Sequence, residues 1–119
     1  MKPVSAAAAL LLAAALPTQA ATPGAQTYAA WCQGCHQADG SGVKSVFPAL
    51  AASSVVTGDP AAPIALVLDG KGAMPPMGGS LSDAEIAGVL TYVRGAFGNH
   101  AGPVAAAEVA KVRAAAKPD

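Results

Sequence analysis

Apolar residues recur along this chain with a helical rather than an alternating period. Behind Ser82, the residues Ile86, Val89, Leu90 and Val93 stand at three- and four-residue spacing, which predicts an amphipathic helix with that face inward up to about Arg94. Ser82 and Glu85 make a capping box at its start. Upstream, Thr22 and Pro23 read as the N-cap and first residue of a helix running to about Gln33–Cys35, because proline lacks an N–H that would go unpaired there. Residues 37–57 show no sustained period, and Gly40, Gly42 and Pro48 mark a long loop. Asp59-Pro60 opens a short predicted helix through Leu68, ended by Gly70, with Pro63 an awkward residue in its first turn. Residues 70–80 hold four glycines and two prolines, which predicts irregular backbone. After Pro103, Val104, Val109 and Val112 lie near helical spacing in an alanine-rich stretch, which predicts an extra helix over roughly 104–116 lying on the domain. No two segments alternate as paired strands do, so the expected fold is all-α.

The first twenty residues follow a different logic. Met1 and Lys2 precede an apolar run from Val4 to Leu16, then Pro17, Thr18 and Gln19, with Thr18 and Ala20 at the positions a signal peptidase inspects. This predicts a secretory leader over residues 1–20, cleaved after Ala20 and leaving residues 21–119 as the exported chain. An apolar run of about thirteen residues is too short to span roughly 30 Å of hydrocarbon at about 1.5 Å per residue, so no stable membrane insertion of the mature chain is expected.

A chain of 119 residues allows one small domain and excludes a large two-domain enzyme. Zero formal net charge argues against a nucleic-acid binder or a polybasic membrane-surface protein, which need a dense positive patch. Hydrophobic residues reach 53% but aromatics only 4%, so a core filled by the polypeptide alone would be thin. Something else is expected to fill it.

The candidate chemistry lies in Cys32-Gln33-Gly34-Cys35-His36. On a helix, residues three and four apart share a face, so both thiols and the imidazole project together. That arrangement lets two thiols bond the vinyl groups of one haem while the histidine reaches its iron, and C-x-x-C-H is the attachment signal for c-type haem (heme c). A thioredoxin-like redox pair would need a strand–helix–strand context that the pattern lacks. A zinc site would need a fourth ligand, and among Cys and His only His100 remains. For the second axial ligand the candidates are Met74, Met77 and His100. A thioether opposite histidine favours ferrous iron and raises the potential, as electron carriers require. Met74, ahead of Pro75-Pro76 in a glycine-rich loop, suits a stiff strap, whereas Met77 reads as a gap-filler and His100 as a solvated loop residue.

On these residues the chain resembles class I c-type cytochromes, small bacterial monohaem His/Met proteins, over about residues 22–98. Gly24 and Tyr28 stand eight and four residues before Cys32, where that family has a glycine and an aromatic in its N-terminal helix, and Tyr92 supplies the aromatic of the last core helix. The resemblance implies that Gly24 permits a close helix crossing and that Tyr28 packs on Tyr92. Phe47-Pro48-Ala49-Leu50 is similar to the family's Pro-x-Leu element, which implies that the Pro48 carbonyl accepts the second ring N–H of His36. Gly72-Ala73-Met74-Pro75 resembles its G-x-M-P strap, which implies Met74 as the distal ligand. Trp31 departs from the small or polar residue common before the first cysteine, and fits a core residue or a haem-edge contact equally. Lys44, Lys71 and Arg94 are read as exposed charges within reach of a propionate.

The expectation is therefore an all-α, cytochrome c-like domain of three or more helices around one covalent haem, with residues 99–119 as a C-terminal extension. Its implied work is single-electron transfer in the bacterial periplasm, without catalysis of its own, unless an open or labile sixth position makes it a haem enzyme or gas binder. The resemblance to cytochrome subunits of periplasmic dehydrogenases implies such an enzyme as donor, with an oxidase or another cytochrome as acceptor. Docking is expected through an apolar rim of Ala73, Pro75, Pro76 and Met77, with Lys71 its nearest charge.

Overall fold

A computed structural model describes residues 1–14 and 21–115, and the expected cleavage after Ala20 lies outside these residues. The described residues form six helices and no strand: α1 Pro23–Trp31, α2 Gln33–His36, α3 Ser54–Thr57, α4 Ala61–Asp69, α5 Asp83–Gly95 and α6 Ala106–Ala115. Two isolated bridges, Val43 with Phe47 and Lys71 with Met74, close tight loops. Residues 1–14 are exposed and carry no regular structure.

Helices α1, α3 and α5 begin where side chains satisfy backbone N–H groups that a helix leaves unpaired. Thr22 Oγ1 accepts from the Ala25 N–H at 3.2 Å with Pro23 behind it, and Ser53 caps α3 in the same way. Both halves of the Ser82–Glu85 capping box are made, each at 3.1 Å. Pro63 proves harmless, because it is the third residue of α4 and its missing N–H belongs to the first turn, where none is needed.

The first helix is shorter than the periodicity predicts. It stops at Trp31, Cys32 forms a turn, and α2 is a single turn to His36, ended by Gln37 at φ 71°. The last helix likewise starts at Ala106 rather than Val104. The Val104 N–H donates to Thr91 Oγ1 at 3.0 Å while the Thr91 hydroxyl lies 3.2 Å from the Val104 carbonyl, which ties this residue to α5 ahead of the helix.

Helix α1 packs across α5, and α3 and α4 pack against α5 from elsewhere on its surface. The expected extra helix does lie on the body: α6 contacts both α4 and α5, burying Val109 completely and Val104 nearly so. At the α1–α5 crossing, a Cβ on Gly24 would sit 2.2 Å from the Gly88 carbonyl oxygen, so only a residue without a side chain fits there. Next to it Tyr28 and Tyr92 pack with ring centroids 5.5 Å apart, as the resemblance implies. Phe97 completes the cluster, 5.3 Å from Tyr28 and edge-on to Tyr92 at 5.8 Å. Three rings in one place account for most of the chain's few aromatics, and they join the two ends of the helical core.

Candidate functional site

The turn from Cys32 to His36 carries the first group of candidate functional side chains. The His36 and Cys35 N–H groups both donate to the Cys32 carbonyl, at 3.0 and 3.2 Å, which holds the three residues within one turn. Neither cysteine is in a disulfide; Cys32 is half-buried and Cys35 exposed. Burial, and secondarily Cys35, pushes the Cys32 thiol up to about 11, so at neutral pH it is protonated. A disulfide-exchange catalyst needs the opposite, a thiol lowered toward neutrality. Among the described residues no group of three or more His, Cys, Asp and Glu side chains is arranged to hold a metal ion, which leaves a zinc cage without a donor set.

His36 is buried, and its Nδ1 lies 2.8 Å from the Pro48 carbonyl oxygen. A carbonyl only accepts, so the ring proton sits on Nδ1 and the Nε2 lone pair is left for a metal. The loop that carries Pro48 is closed on itself by backbone hydrogen bonds. Val43 and Phe47 exchange hydrogen bonds at 2.9 and 2.8 Å, the Gly42 N–H donates to the His36 carbonyl, and Leu50 and Ala51 both donate to the Gly40 carbonyl.

The strap that carries Met74 is closed in a similar way. Lys71 and Met74 exchange two backbone hydrogen bonds of 3.0 Å. Gly70 turns with φ 69°, and a Cβ there would meet the Met74 carbonyl oxygen at 2.4 Å. Met74 is half-buried against the hydrophobic core. Downstream the Met77 and Gly78 N–H groups donate to the Val67 and Leu68 carbonyls of α4, at 2.9 and 3.2 Å. Met77 is a core residue, only 6% exposed. It therefore does not belong to the surface rim expected of it, whereas Ala73, Pro75, Pro76 and Lys71 are exposed.

Other expectations change more. Arg94 is not an exposed charge. It is buried, and its guanidinium donates to the carbonyls of Val56, Gly58 and Gly102, each at 2.8 Å, lashing α3 and the tail to α5. Trp31 is 46% exposed and lies outside the polypeptide core, which removes one of its two readings. His100 and Lys44 are exposed, as expected.

Two residues escaped sequence reasoning altogether. Asn99 is buried, donates to the Leu50 and Val93 carbonyls and accepts from the Ala52 N–H, all at 3.0 Å, so it fastens the end of the Pro48 loop to α5. In sequence it stands between Gly98 and His100 and looks like an ordinary turn residue. Arg113 on α6 pairs with Asp83 at 2.8 Å and also donates to the Gly78 and Leu81 carbonyls.

Two unpaired thiols and a buried imidazole with its Nε2 free, all on one turn, make a donor set that fits a c-type haem. Comparison with known proteins agrees. Residues 19–93 match the family model described as cytochrome C oxidase, cbb3-type, subunit III, and the chain belongs to this family of c-type cytochromes. It is 39% identical over 107 residues to the cytochrome c subunit of a quinone alcohol dehydrogenase from Gluconacetobacter polyoxogenes, which covers 79% of this chain and 23% of that protein. It is 36% identical over 104 residues to the gluconate 2-dehydrogenase cytochrome c subunit of Pantoea cypripedii, covering 76% and 24%. The chain thus spans about a quarter of the length of these relatives. Cytochrome c6 of the diatom Phaeodactylum tricornutum has a similar structure, with a TM-score of 0.54 and 35% identity over 63% of this chain and 91% of that one. The protein is a cytochrome c electron carrier with a covalently bound c-type haem.

Proposed function

We propose that this cytochrome works in the periplasm, passing single electrons from a dehydrogenase to a respiratory acceptor, and that Cys32 and Cys35 would bond its haem while His36 and Met74 would ligate the iron. The haem, once bound, supplies the one-electron chemistry. The chain supplies its setting. Cys32 and Cys35 fix the macrocycle to the start of the fold, and His36 presents Nε2 in a tautomer set by the Pro48 carbonyl, a contact that also raises the basicity of the ring. Met74, a soft donor on a strap stiffened by two prolines, favours the reduced state. The observation that carries the reading is the 2.8 Å contact between His36 Nδ1 and Pro48 O within one turn of two free cysteines.

The dehydrogenase donor is taken from the alcohol and gluconate dehydrogenase subunits that the chain resembles, and the acceptor is an oxidase or another cytochrome. Export rests on the leader-like residues 1–20, and among the described residues no helix is long and apolar enough to cross a membrane. Visible spectra with and without CO test the proposal, on protein matured in a host that attaches haem. A weak red band from sulfur-ligated ferric iron, no rapid CO binding to the ferrous form, and no titratable thiols are expected. Prompt CO binding would indicate an open sixth position and a gas-binding or enzymatic role instead. Free thiols would end the haem-attachment reading.

A further inference from the structure

We propose that Arg113, on the C-terminal helix α6, is a positioning residue that holds Met74 in place by clamping the downstream end of its strap. The inference rests on the reading of Met74 as an axial ligand and adds a control point to it. The strap has two ends. Its upstream end is closed by the Lys71–Met74 backbone pair. Its downstream end, Gly78, is only four residues from Met74, and two of the three residues between them are prolines with fixed φ. The Met77 and Gly78 N–H groups are tied to the Val67 and Leu68 carbonyls of α4, so Arg113 adds a second hold at Gly78, at the end of a segment with few soft torsions before Met74.

Among the described residues, Arg113 is the side chain that hydrogen-bonds to this end. Its guanidinium engages three things at once: the Gly78 carbonyl, the Leu81 carbonyl, and Asp83 Oδ1 at the first residue of α5. A planar fork can satisfy such a set, whereas the point charge of a lysine cannot. Val109, fully buried on the same helix, seats α6 so that the fork arrives there. The C-terminal extension, which contains none of the residues assigned to the haem, thus reaches back to the element that carries the sixth ligand.

The test uses the haem-loaded protein and reads CO association with the ferrous form beside the far-UV CD melt. In Arg113→Ala, CO association is expected to rise about tenfold or more at temperatures where CD shows the helices intact, the factor that about 1.4 kcal/mol corresponds to. Arg113→Lys keeps the charge beside Asp83 and is expected to fall between the wild type and alanine. It also serves as the deciding variant if alanine does not fold. A rate unchanged within about twofold, or one that rises only as the helices melt, overturns the inference, since a merely structural arginine would move the two readouts together. A ferric red band that is absent from the wild type, or that survives Met74→Ala, removes the ligand reading and this inference with it. A band that depends on Met74, together with unchanged CO association in the Arg113 variants, removes this inference alone.

Discussion

Gly24 on α1 and Gly88 on α5 meet with their backbones in contact, and the contact is one-sided. A Cβ on Gly24 would lie 2.2 Å from the Gly88 carbonyl oxygen and 3.1 Å from Tyr92 Cβ, whereas a Cβ on Gly88 would find the Gly24 Cα at an ordinary 3.9 Å. The two glycines therefore do different work. Gly24 sets how closely the helices cross, and Gly88 contributes the backbone that α1 rests on.

Gly24→Ala is expected to force the helices apart and cost about 1–3 kcal/mol or more, as overpacking does. Gly88→Ala is expected to be neutral, or to gain up to about 1 kcal/mol from better helix propensity. Denaturant melts of the two variants check this, and the reverse order would mean that the crossing is not as close as described.

Met74 and Met77 test the proposed ligand against a packing residue. Met74→Ala is expected to abolish the ferric red band, lower the reduction potential and admit CO to the iron. Met77→Ala is expected to keep all three but to lose about 2–5 kcal/mol of stability, because a core side chain only 6% exposed leaves a cavity behind. Spectra and melts of both variants decide it. A Met77 variant without the band would place the ligand three residues downstream.

The alkaline limit of stability has a contribution from Tyr28. Burial pushes its phenol up to about 12, with Cys32, Tyr92 and Asp39 adding smaller effects. The folded state thus holds this proton more tightly than the unfolded chain, whose phenol titrates near 10. The benefit is complete below about pH 10 and is lost as pH rises toward 12, by about 1–3 kcal/mol. Tyr28→Phe forfeits the 2.6 Å hydrogen bond to the Gln37 carbonyl, which costs about 1 kcal/mol at neutral pH. The gap between the two proteins should narrow between about pH 10 and 12, as read from denaturant midpoints, and a constant gap would contradict the assignment.

Electron exchange with a partner should depend weakly on salt. The exposed strap offers Ala73, Pro75 and Pro76 with Lys71 as the nearby charge, and the whole chain is formally neutral. Raising salt from about 10 to 200 mM shortens the Debye length from about 30 Å to under about 10 Å, yet a small apolar contact of the redox type should lose less than about tenfold in rate. Stopped-flow mixing with a candidate dehydrogenase gives the number, and a steeper fall would point to charge pairing at the interface.

Local signals in the sequence were enough for most of the elements and of the candidate site, although α3 falls inside residues 37–57, which read as a loop. Thr22, Ser53, Ser82 and Glu85 act on N–H groups three residues away or fewer, so the helix starts follow from short stretches of chain. The pairing of Cys32, Cys35 and His36 needs only one turn, and the strap is legible in its glycines and prolines. What tertiary structure alone decided are contacts that join distant stretches through groups every residue possesses. Arg94 and Arg113 spend their guanidinium N–H groups mainly on backbone carbonyls 8 to 38 positions away, and Asn99 donates to a carbonyl 49 positions back and accepts from an N–H 47 positions back. A carbonyl acceptor leaves no mark in a sequence, so nothing distinguished these three from solvated surface residues. Gly88 and Phe97 were hidden for a related reason: a crossing point or a third ring is defined by where two helices come together, and that position is set by the packing of the whole body.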